Sequence, residues 1–149
     1  MQSKVILVAV DESPAAHAAV DASLELAAAL GSPLHFVHAT PLSWELFEEH
    51  REKGPSRDEI AARDTVLADA LARADAAGLE AELELLDESS GAELAASMAG
   101  IAEGLDAGLI VVGSRGRGAV TGAILGSVSQ NLIKYAGKPV LIVHGPPND

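Results

Sequence analysis

Residues 4–14 read Lys4-Val-Ile-Leu-Val-Ala-Val10-Asp-Glu-Ser-Pro14. Six apolar residues follow the lysine without a polar break, as in a strand covered on both faces. Ser13 suits a helix N-cap and Pro14 the first helical position. The helix then runs to about Leu30 and stops at Gly31, with Ala16, Val20, Leu24 and Ala27 along one face at spacings of three and four. A doubly buried strand feeding directly into an amphipathic helix is the first half of a parallel β-α-β unit.

The rest of the chain continues the alternation. Residues 34–39 form a second strand. Residues 40–55 form a longer connection, in which Trp44 and Phe47, among acidic neighbours, are expected to cover the core, with part of a lid as the alternative. Ser56-x-x-Glu59 is a capping box that opens a helix ending at Gly78, with Ile60, Leu67, Leu71 and Ala74 as its apolar stripe. Residues 81–86 alternate apolar and acidic side chains, the pattern of a half-exposed edge strand. Ser90-x-x-Glu93 opens a helix that runs to about Glu103. Residues 109–112 form a fourth strand, Ser127-x-x-Gln130 starts a helix ending at Gly137, and residues 139–144 form a fifth strand. Residues 145–149 are a frayed tail. The pattern predicts one doubly wound α/β domain over residues 1–149, a five-stranded parallel sheet of order 3-2-1-4-5 with four main helices. That order puts the alternating third strand at an edge. It also puts the loops after strands 1 and 4 side by side at the topological switch point, where open α/β sheets bind ligands. Asp11 and Gly113 then face one crevice.

Composition narrows the function. The chain has 149 residues, 48% of them apolar but only 3% aromatic, so Ala, Leu, Val and Ile must build the core. It has no cysteine, which excludes disulfides, zinc–thiolate sites and thiol nucleophiles. No apolar run is long enough to span a membrane, and the N-terminus lacks a signal-peptide cleavage pattern, so a cytoplasmic location is expected. A net charge of −12 repels nucleic acid and anionic membranes. The charge is uneven: residues 107–148 contain no Asp or Glu, yet carry Arg115, Arg117, Lys134 and Lys138. This local basicity suits a small anion.

The basic region surrounds Gly113-Ser-Arg-Gly116-Arg-Gly118-Ala-Val-Thr-Gly122-Ala-Ile-Leu-Gly126-Ser127. Such glycines allow close backbone approach, and successive amides form a concave nest for phosphate oxygens. The following helix adds free N–H groups and a positive dipole end. Ser127 offers a hydroxyl, and Arg115 or Arg117 can cover the charge from outside. The dipole alone contributes about 0.3–2 kcal/mol, so several groups must act together. The competing reading is a glycine-rich turn in which Ser127 simply caps its helix. Two familiar phosphate loops do not fit: Ala119 stands where a Walker A lysine belongs, and the turn after the first strand lacks the dinucleotide-binding glycines. His35 and His38 sit three apart on a strand and point to opposite faces, which is unsuited to a shared metal. His17 lies near Asp11 and Ser13, but sequence proximity does not make a catalytic triad.

Gly113-x-x-Gly116, nine residues, then Gly126-Ser127 resembles the signature of ATP-binding universal stress proteins. The closing run SVSQNLIKYAGKPVLIV and the opening ILVAVDESPAA are similar to the family's last helix and strand and its first strand, so the likeness spans essentially the whole chain. It implies ATP as ligand, or ADP or AMP at rest, with a divalent cation such as Mg as a further option. Asp11, with Ala9 and Val10, would contact adenosine, and the Ala39 backbone would face adenine. Gly113, Arg115 and Gly116 would line sugar and phosphates; Gly126, Ser127, Val128 and Ser129 would hold the phosphates. Arg117 and Gly118 belong to the same loop. Ala9 departs from the proline of some nucleotide-binding members, and Asp11 has the alternative role of a helix-capping acid near Pro14. The resemblance implies stress response or signalling through nucleotide-dependent conformation, or through homodimerisation along the last strand, Val140–Val143. Slow ATP hydrolysis and a nucleotide-independent interaction module are the alternatives. Catalysis has little support, because residues 107–148 offer no carboxylate to place a metal or orient a water.

Overall fold

The computed structural model describes residues 3–41, 43–87, 90–115 and 125–146. Its strands are β1 (Ile6–Ala9), β2 (Leu34–Thr40), β3 (Ala81–Asp87), β4 (Leu109–Gly113) and β5 (Val140–Val143). Its helices are α1 (Pro14–Leu30), α2 (Ser43–Glu49), α3 (Arg57–Arg63), α4 (Thr65–Ala76), α5 (Gly91–Leu105) and α6 (Ser127–Tyr135). The strands form one parallel sheet of order β3-β2-β1-β4-β5, the predicted order.

Alternation along each strand divides the interior into two layers. Ile6, Val8, Leu34, Phe36, Leu83 and Leu85 face α1, α3 and α4. Leu7, Val37, Ile110 and Val112 face α5 and α6. Phe36, Leu7 and Val8 are completely buried, and small residues such as Ala19, Ala27, Ala74 and Ala102 let the helices approach the sheet closely. The predicted stripe Ile60, Leu67, Leu71 and Ala74 is buried throughout. In β3, Ala81, Leu83 and Leu85 are buried between more exposed acidic residues, as the alternation implied.

The helical expectations need correcting in three places. The helix predicted from Ser56 to Gly78 is broken at Asp64, which is extended (φ −124°, ψ 109°). Asp64 ends α3 through its amide, which donates to Ile60 O at 2.9 Å, and caps α4 through Oδ1, which accepts from Leu67 N at 2.8 Å. The apolar stripe keeps its phase across the break, so periodicity alone reads through it. Second, the 40–55 connection contains α2. There Leu46 enters the core while Phe47 is 41% exposed, so Phe47 does not cover the core; the Trp44 side chain lies outside the described residues. Third, α6 is capped by Gly126 with no side-chain hydrogen bond, so Ser127 is its first helical residue and not its cap. Among the described residues no helix is long and apolar enough to cross a membrane.

Candidate functional site

The carboxyl ends of β1, β2 and β4 meet at one edge of the sheet. Val10 N donates to Val37 O at 2.9 Å, extending the β1–β2 ladder and setting Val10 and Asp11 beside Ala39. Asp11 Oδ1 accepts from Ser13 N at 2.7 Å and shapes the turn into α1. Ser13 Oγ accepts from Ala16 N at 3.1 Å, capping α1, and donates to Arg115 O at 3.4 Å. The loops after β1 and β4 are therefore directly joined, as the switch-point argument predicts. Ser13 is occupied with backbone groups on both sides, which leaves nothing of a triad with His17.

The base of the glycine loop is pinned on its other side. Ser114 N donates to Val143 O at 2.8 Å, Gly126 N to Ser114 O at 2.7 Å, and Ser129 Oγ to Gly113 O at 2.8 Å. Gly113 itself lies hard against α1. A β-carbon there would sit 2.8 Å from the Ala15 carbonyl carbon and 2.9 Å from Ala16 N, both backbone atoms. Glycine at 113 lets the start of α1 close over the end of β4. Gly116, Arg117 and Gly118 lie outside the described residues.

The start of α6 differs from the other long helices. Side chains of Ser13, Ser56, Asp64 and Ser90 cap α1, α3, α4 and α5. At α6 the cap is glycine, and the amides of Ser127, Val128 and Ser129 have no acceptor within the helix. Ser127 is exposed, whereas Ser129 is buried with its hydroxyl committed to Gly113. From Ser129 it is thus the amide, not the hydroxyl, that can meet an anion. Gly91, at the first position of α5, packs against the Ser127 side chain. Sequence reading passed over Gly91; a glycine directly after a serine cap, where helix propensity disfavours it, was the available signal.

Beside Asp11 a cleft of about 160 Å³ opens between α1 and α4, with Val10, Ala16 and Val66 as apolar lining and Asp11, His17 and Thr65 as polar lining. One residue past the lining, Asp64 Oδ2 lies 2.8 Å from His38 Nδ1, and both side chains are buried. His38 stands immediately before Ala39 on β2. Burial raises the Asp64 carboxyl pKa, but the hydrogen bonds from His38 and the Leu67 amide outweigh it and hold the group below the usual carboxylate range. His35 points to the opposite sheet face, as predicted, and its Nε2 lies 2.8 Å from Glu84 Oε1.

The parallel sheet, the switch-point crevice and a helix start capped by glycine define a doubly wound α/β protein with a candidate site for a small anion. The chain belongs to the universal stress protein family, whose model matches residues 2–144. A universal stress protein of Mycolicibacterium smegmatis is 33% identical over 94% of this chain and 48% of its own length. The chain spans about half the length of the full-span curated relatives it matches. Among solved structures, a universal stress protein in complex with cAMP is 25% identical, covers 98% of this chain and 100% of its own, and has a TM-score of 0.68. One from Archaeoglobus fulgidus in complex with dAMP is also 25% identical, covers 96% of this chain and 99% of its own, and has a TM-score of 0.64.

Proposed function

We propose that this chain binds an adenine nucleotide, ATP foremost, across the carboxyl ends of β1 and β4, and that occupancy is read out in stress response or signalling. The observation that carries this reading is the start of α6, where three amides have no acceptor within the helix and, among the described residues, no side chain caps them. The cAMP and dAMP complexes of similar proteins support an adenine ligand. In this reading Ala9, Val10 and Asp11 meet the adenosine, and the Ala39 backbone faces the base. Gly113, Arg115, Gly116, Arg117 and Gly118 line the sugar and phosphates. Gly126, Ser127, Val128 and Ser129 hold the phosphates, with Mg able to join them. Binding without fast turnover fits residues 107–148, which carry no carboxylate to position a metal or a water.

The output is a change in conformation or self-association, in the cytoplasm. β5 is an edge strand with one hydrogen-bonding side unpaired within the sheet, suited to pairing Val140–Val143 with a second copy. Ile133 and Tyr135 of neighbouring α6 are 56% and 72% exposed and offer apolar surface to the same partner. A thermal-shift titration with ATP, with and without Mg, and with AMP and cAMP, tests the proposal. A ligand present at a hundredfold excess over its Kd should add about 2.7 kcal/mol of stability. No shift at millimolar concentration of any of the three would sink it.

A further inference from the structure

We infer that Gly91 is a positioning residue for the nucleotide site, acting through Ser127. The inference rests on the reading of Ser127 as a phosphate contact and adds to it the reason Ser127 stands where it does. Ser90 caps α5 and Gly91 opens it, yet the Gly91 backbone is not in the left-handed region. Conformational freedom therefore does not call for glycine at this position. Helix propensity argues against it, since alanine favours a helix more.

What glycine supplies is space. A β-carbon on Gly91 would fall on Ser127 Oγ, 2.5 Å from Ser127 Cβ and 3.3 Å from its carbonyl carbon. Turning the Ser127 side chain to another rotamer would move Oγ but neither of the other two atoms. Ordinary carbon contacts lie at about 3.5–4.0 Å, so one of the helices would have to shift by about 1 Å. The start of α6 has little room to shift. Gly126 N is bonded to Ser114 O and Ser129 Oγ to Gly113 O, and α5 and α6 share one core through Met98, Ala102, Leu132 and Ala136. The first turn of α5 thus forms a backstop that sets the position of Ser127 relative to Gly113 and Ser114. Binding groups must be held to within about 0.5 Å to work together, so a shift of this size reaches the ligand.

The test is a mutant cycle on the full chain, with Kd for ATP measured by calorimetry for wild type, Gly91→Ala, Ser127→Gly and the double variant. Gly91→Ala is expected to weaken ATP binding tenfold or more, while the ligand-free helix content stays unchanged. Ser127→Gly removes the β-carbon with which alanine collides, so the double variant should bind no more weakly than Ser127→Gly alone. A merely structural role for Gly91 would lower stability without this coupling. Wild-type binding with an unchanged Kd in Gly91→Ala overturns the inference and leaves the proposed function standing; so do losses that simply add in the double variant. Failure of the wild type to bind ATP overturns the proposed function itself. If Gly91→Ala does not fold alone, the double variant must fold and match Ser127→Gly, and a double variant that stays unfolded refutes the steric contact.

Discussion

His38 and Asp64 join the carboxyl end of β2 to the start of α4 through one buried bond of 2.8 Å. Because Asp64 also caps α4, Asp64→Ala removes two interactions and leaves His38 buried without this partner. It should destabilise the fold by about 3 kcal/mol, measured by urea unfolding at pH 7. The folded-state pKa of Asp64 is depressed, so its contribution is full above the unfolded value of about 4 and is lost as pH falls through the lower folded value. The stability gap between wild type and Asp64→Ala should accordingly be flat near neutrality and close only in acid; a gap that closes between pH 6 and 7 would contradict this assignment. Gly113→Ala places a β-carbon against the backbone of α1, which cannot rotate away, and should cost about 1–3 kcal/mol in the same assay.

At the scale of elements, the caps divide structural ends from the candidate binding end. Ser13→Ala removes the α1 cap and the tie to Arg115 O, and should cost about 1 kcal/mol by urea unfolding. Gly126→Ser tests the opposite case. A serine cap there would occupy an amide of Val128 or Ser129, adding a few tenths of a kcal/mol to the ligand-free protein while weakening ATP binding. Equal ATP affinity in calorimetry would show that those amides do not meet the ligand. The α3–α4 break belongs to this scale too. Asp64 is an N-cap residue type followed by Thr65, but the buried stripe spans the break in phase, and no pattern in the chain announces that His38 draws the carboxylate inward.

For the whole molecule, the sheet leaves two unlike edges. β3 carries Glu82, Glu84 and Asp87, and the acids discourage pairing along that edge. β5 carries only apolar residues, and the sequence around it is free of acids from 107 to 148. Self-association should therefore run through β5 and the exposed face of α6, and Ile133→Lys, at a 56% exposed position, should shift a dimer to monomer in analytical ultracentrifugation without unfolding it. A strictly monomeric wild type at high concentration removes this claim. Asp106 holds Lys4 and Lys138 at 3.4 and 3.1 Å and fastens the starts of β1 and β5 to the end of α5. Lys4 and Asp106 are largely solvated, so salt should weaken their pairing readily.

The strand order, the two-layer interior and the adjacency of the loops after β1 and β4 were legible in the sequence. Unbroken apolar runs, caps and right-handed crossovers leave a five-strand chain few other arrangements. The candidate glycine loop was legible for a local reason: a nest for an anion would be made by consecutive backbone amides. What only the tertiary structure decided are contacts between segments far apart in the chain. The His38–Asp64 bond spans 26 residues, and the hydroxyl of Ser129 is committed to the carbonyl of Gly113, 16 residues away. The crowding of Gly91 on Ser127 and of Gly113 on Ala15 depends on how helices seat against the sheet. Packing at the density of a protein interior sets those distances, and no local pattern of residues encodes them.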